Sequence, residues 1–109
     1  MLDNSKSKGV KYIYPKCSKD WRKKPEISRF YGIVIVMYSD DHEPPHIHAF
    51  YNEYEILINI KNLVIIRGYM PPKAIGMIME WIEIHQEELL QNWKLAFNCK
   101  HTFKIEPLK

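Results

Sequence analysis

The chain has 109 residues and a mass of 13.1 kDa, with 46% hydrophobic and 27% charged side chains, a size and mixture that suit one domain and leave too little chain for two. No window nears the roughly 18 consecutive apolar residues of a membrane span. The first 24 residues are polar and lack the apolar run of a secretory signal, so the expected compartment is the cytosol.

The net charge of +3 is unevenly spread. Residues 1–24 carry eight basic side chains against two acidic ones, whereas the rest of the chain carries eight against eleven. A segment so basic and so poor in aliphatic groups buries too little surface to offset its ordering entropy, and residues 1–24 read as a mobile arm. Within it, Lys16, Lys19, Arg22, Lys23 and Lys24 flank Trp21. Cations interleaved with an aromatic suit contact with RNA or DNA, and a solubilising tail is the competing reading. Cys17 and Cys99 are far apart, and in a reducing compartment they read as free thiols.

Residues 25–109 read as a single α+β domain. Phe30 to Tyr38 is apolar on both faces, as a strand inside a sheet would be, with Gly32 as its weak point. Residues 39–45, rich in acids and prolines, form a loop. A second strand follows at His46–Tyr51, and Asn52 takes the reversal because asparagine tolerates a positive φ. Glu55 to Ile60 alternates as a third strand, and Leu63 to Arg67 supplies a fourth, ended by Gly68. The expected sheet is therefore a four-stranded antiparallel meander.

One long C-terminal amphipathic helix should pack against it. Pro71 and Pro72 suit a first turn, and apolar groups recur at Ile75, Ile78, Met79, Ile82, Leu89, Trp93 and Phe97. Unbroken from Lys73 to Asn98 it would run about 39 Å at 1.5 Å per residue, which predicts a kink or an overhang. Trp81 and Leu90 fall off the main stripe and read as partner surface. Thr102 to Glu106 reads as a short edge strand or a trailing end.

The chemistry concentrates in the segment from Asp40 to His48, which holds three of the five histidines. Side chains at i and i+2 of a strand share a face, so His46 and His48 project together, and His42 precedes them on a proline-stiffened loop. Such a group can present imidazoles to a divalent cation such as zinc or manganese, with Asp41 as an oxygen ligand. It can equally divide general base and general acid between His46 and His48. The third reading is structural, with the histidines tying the loop to backbone carbonyls. His85, near the buried helix face, is the candidate supporting residue. His101, two residues after Cys99, is too isolated to define a metal site.

Pro25 to Ile33, Asp41 to Ala49, Glu80-Trp81 through His85 to Leu90, and Asn92-Trp93 resemble a small prokaryotic family known as domain of unknown function 4160. The likeness covers about 25–107 and leaves the basic arm outside. Asn52 stands where a glycine is expected, and Gly76 lies inside the helix. The motif falls on Asp41, His42, Pro44, Pro45, His46 and His48, with Trp81, His85 and Trp93 on the helix, and brings no assigned catalytic role. The resemblance implies a neighbour gene for a second small protein, of the family called domain of unknown function 2442, in an arrangement like a toxin–antitoxin pair. Three functions follow as expectations: a partner-binding component of such a module; a small hydrolase or nuclease centred on His42, His46 and His48; or a non-catalytic homodimer with structural histidines.

Overall fold

A computed structural model describes residues 26–38 and 42–109. The basic segment, with Lys16, Lys19, Arg22, Lys23 and Lys24, and the loop residue Asp41 lie outside the described residues. Five strands, β1 (Glu26–Phe30), β2 (Ile33–Val36), β3 (His46–Tyr51), β4 (Tyr54–Asn59) and β5 (Ile65–Tyr69), are followed by two helices, α1 (Pro72–Ile84) and α2 (Gln86–Phe97). Every neighbouring pair is antiparallel and the sheet order is the chain order, so the sheet is a meander with β3 in the middle.

The α+β class and the meander agree with the sequence reading, but the sheet has five strands rather than four. The apolar run from Phe30 to Tyr38 is a hairpin corner. Tyr31 and Gly32 both have positive φ, at 49° and 82°, which is the two-residue loop whose twist matches paired antiparallel strands. The missed strand, β1, is short. Its alternation is masked by an irregularity between Glu26 and Ser28, which puts Ile27 among the buried residues. Asn52 takes the positive φ expected of it, at 53°.

Gly68 lies within β5 instead of ending it. Its φ is +96°, and a Cβ there would sit 2.2 Å from the Glu55 carbonyl oxygen. The register between β4 and β5 shifts at Leu57/Ile58, and only glycine permits so close an approach of the two backbones.

One face of the sheet carries Ile33, Ile35, Ile47, Ala49, Ile56 and Ile58, all fully buried. They join Ala74, Ile78, Trp81 and Ile82 of α1 and Leu89, Trp93 and Ala96 of α2 in one core. Each fully buried Ile or Leu contributes roughly 1.5–3 kcal/mol.

The single long helix is two helices, broken at His85. The His85 N–H is shared between the Trp81 and Ile82 carbonyls at 3.1 Å each, a bifurcated bond that ends α1. The Gln86 side-chain amide donates to the carbonyls of Ile60 and Lys61, at 2.7 and 3.0 Å. The start of α2 is thereby pinned to the turn after β4.

The break and the C-terminal segment together change which side chains are buried. Trp81 is wholly buried, not a partner surface. Its ring packs 5.4 Å from Phe30 and its indole N–H donates to the Glu106 carbonyl at 2.8 Å. Leu90 is half-buried against the core. Phe97, placed on the buried stripe by periodicity, is 52% exposed. Residues 102–106 form no strand, yet they cover the β1 edge: the Ile105 N–H donates to the Ile27 carbonyl at 2.9 Å, and Asn92 bonds both backbone groups of Phe103. Cys99 is disulfide-bonded rather than a free thiol, and Cys17 lies outside the described residues.

The two glycines should respond to alanine with opposite signs. Gly76, with nothing within 4 Å of a new Cβ, should gain about 0.5–1 kcal/mol as Gly76→Ala. Gly68→Ala should lose more than about 1 kcal/mol. Chemical denaturation of the two variants beside the parent measures both.

Candidate functional site

The site is built on the middle strand. Alternation along β3 sends Ile47 and Ala49 into the core and His46 and His48 to the other face. There His48 stands between Val36 on β2 and Leu57 on β4, while His46 stands opposite Asn59. The two rings lie 5.3 Å apart at 55°, so the sequence reading of a shared face holds. Both are largely covered, with only 7% and 8% of His46 and His48 exposed.

Each ring is oriented by an oxygen acceptor. His46 Nδ1 lies 2.7 Å from the Pro44 carbonyl oxygen, and His48 Nδ1 lies 3.1 Å from Glu55 Oε2. A carbonyl and a carboxylate only accept, so in both rings Nδ1 carries the proton, and in the neutral imidazole Nε2 is then the basic nitrogen. A carboxylate behind an imidazole is the arrangement that fixes tautomer and ring orientation in metal ligands and general bases alike. Aromatic rings complete the surroundings. Tyr38 meets His48 edge-on at 4.6 Å, and Trp93 of α2 lies 5.3 Å from His46. The Trp93 indole N–H also reaches Glu43 Oε2 at 3.4 Å, a long bond that links α2 to the loop before β3.

The remaining predicted site residues are not gathered here. His42 is exposed, and among the described residues it makes no hydrogen bond or ring contact to His46 or His48. His85 does not support the strand histidines. It sits at the junction of the helices, its ring 5.5 Å from Trp81 and its Nδ1–H donating to Glu88 Oε1 at 2.5 Å. The helix break places it there.

Among the described residues, no group of three or more histidine, cysteine, aspartate or glutamate side chains is disposed to hold a metal. Two imidazoles fall short of the three protein ligands of a catalytic zinc site. Asp41, the oxygen ligand expected from the sequence, lies outside the described residues.

The site residues that the sequence reading missed are Glu55 and Tyr38, and Trp93, named there as a motif residue of the helix, was not placed beside His46. Glu55 was legible in principle. The two-residue reversal at Asn52-Glu53 pairs Phe50 with Glu55, and a diagonal neighbour on the same face is then His48.

A family model described as Domain of unknown function (DUF4160) matches residues 32–94. The chain belongs to this family. The match spans β2 to α2 as far as Lys94 and contains His46, His48, Glu55, Trp81, His85 and Trp93, while β1 and the C-terminal segment that covers it fall outside. No curated protein and no solved structure matches the chain.

Removing the carboxylate should release the His48 tautomer. In Glu55→Ala the Nδ1–H form should lose its exclusive population, at a stability cost of about 1 kcal/mol, and long-range proton–nitrogen NMR of the imidazoles reads the change. His46, whose acceptor is backbone, should keep its tautomer in the same variant.

Proposed function

We propose that this chain is the partner-binding component of a prokaryotic two-gene module of toxin–antitoxin type, which binds a small protein encoded by an adjacent gene. The observation that carries the reading is the state of β5. It forms one margin of the sheet, and every residue from Val64 to Tyr69 is exposed, including Ile65, Ile66 and Tyr69. Apolar side chains and unpaired backbone groups along one sheet margin are what a protein partner would cover. In this reading His46 and His48 fasten the loop before β3 to the sheet, and Lys16, Lys19, Arg22, Lys23 and Lys24 serve as contacts to RNA or DNA. No described helix is long and apolar enough to cross a membrane.

A second reading, a small hydrolase or nuclease using His46 and His48 as acid–base pair, is favoured by the Glu55–His48 contact. Its general base would be an imidazole Nε2, with Glu55 holding the ring in place.

Co-expression of the chain with the adjacent gene's product tests the first reading. A stable complex of defined stoichiometry on size exclusion with light scattering is the expected result, unchanged in His46→Ala and His48→Ala variants that remain folded. Single-stranded RNA cleavage by the parent, lost at least 100-fold in both variants, would instead establish the second.

A further inference from the structure

The two margins of the sheet are treated differently by the fold. At β1 the chain covers its own edge, with Ile105 bonded to Ile27 and buried, and with Trp81 and Asn92 holding the same C-terminal segment through Glu106 and Phe103. At β5 no described segment does so. Val64, Ile65, Ile66 and Tyr69 remain 54%, 37%, 46% and 62% exposed. Strand edges left open in this way are usually blunted by charge, proline, brevity or a bulge, and β5 carries one irregularity, opposite Leu57/Ile58. From Leu63 to Tyr69 the sequence offers one charge, Arg67, and no proline.

Resting on the partner-binding reading above, we infer that β5 is completed by a β-strand of a different protein. That strand carries apolar side chains on both faces and an acidic residue set against Arg67.

The register supports both halves of this description. Ile65 stands across from Ile58 and so belongs to the helix-covered side, whereas Arg67 and Tyr69 stand across from Leu57 and Glu55 on the histidine side. A sixth strand would therefore bury isoleucine on one face and the tyrosine ring on the other, and its residue opposite Arg67 would lie about 4.5–5.5 Å away between Cβ atoms. Arg67 makes no ion pair among the described residues, and an exposed guanidinium on an added strand selects a carboxylate. This charge pattern is what disfavours a second copy of the chain. Residues 63–69 contain no acid, so pairing β5 with itself offers Arg67 an apolar neighbour or another arginine, and the latter is repulsive. The exposed Ile84 and Phe97 on the helices, at 62% and 52%, lie on no strand edge and serve as the comparison surface.

The experiment uses the full chain and the adjacent gene's product, with affinity measured by calorimetry and hydrogen exchange followed in the parent complex. The inference expects added protection at residues 64–69 on complex formation. It also expects at least a tenfold loss of affinity in Ile66→Lys and in Arg67→Glu, little change in Ile84→Lys and Phe97→Lys, and recovery of Arg67→Glu when the partner's facing acid is changed to lysine. Binding that survives both β5 variants, with protection on the helices instead, overturns the inference and leaves the partner-binding reading intact. Absence of any complex overturns both. A dimer of the chain alone that Ile66→Lys dissociates makes a second copy the occupant and overturns the inference. The hydrogen-exchange result stands in the parent chain, so it decides the matter even where a β5 variant fails to fold.

Discussion

Everything else in the molecule hangs on the alternation of the middle strand. β3 is bonded on both sides, so its side chains must go to one face or the other with no slack in register. Because Ile47 and Ala49 are needed in the core between sheet and helices, His46 and His48 have no choice but the opposite face, and a slip of one residue would bury two imidazoles in the core and expose an isoleucine. The hydrophobic effect thus positions the polar pair, and the chemistry of the histidines is a consequence of where the aliphatic groups must be.

Placing two imidazoles side by side under cover has a cost that the structure meets locally. Buried polar groups are destabilising unless bonded. His46 meets this with the Pro44 carbonyl, a partner two residues away that the proline-rich loop holds in reach, and His48 with the Glu55 carboxylate across the strand pair. Trp93 and Tyr38 fill the remaining sides with aromatic surface. The same bonds that stabilise the pair also choose its tautomer, so the structural and the catalytic readings of these histidines share one set of contacts. They differ in what Nε2 does, which is why a cleavage measurement separates them where tautomer, mutation and stability alone would not.

The helical layer shows how small polar contacts redirect a strong apolar pattern. A helix continued through His85 would carry its stripe past the end of the sheet. The shared His85 N–H and the Gln86 side chain on the Ile60 and Lys61 carbonyls turn the chain instead. Trp81 then faces inward, where its indole N–H holds the C-terminal segment against β1. Among the described residues, the result is a sheet with one margin closed by its own chain and the other left open at β5. That asymmetry makes β5 the place proposed for an additional strand.

The sequence by itself determined the α+β class, the meander, the strand at His46–Tyr51, the reversal at Asn52 and the common face of His46 and His48. These follow from the period of two in strands and from turn residues, both local properties. The hairpin corner inside the run from Phe30 to Tyr38 was hidden because the residues on either side of Tyr31-Gly32 are equally apolar, leaving only Gly32 as a mark. The break at His85, the burial of Trp81, the loss of His42 and His85 from the histidine group, and the arrival of Glu55, Tyr38 and Trp93 were decided by tertiary structure. Each depends on a partner from another element, tens of residues away for Trp81 and Gln86, and no local period records which distant carbonyl or carboxylate will be within reach once the sheet has twisted and the helices have packed.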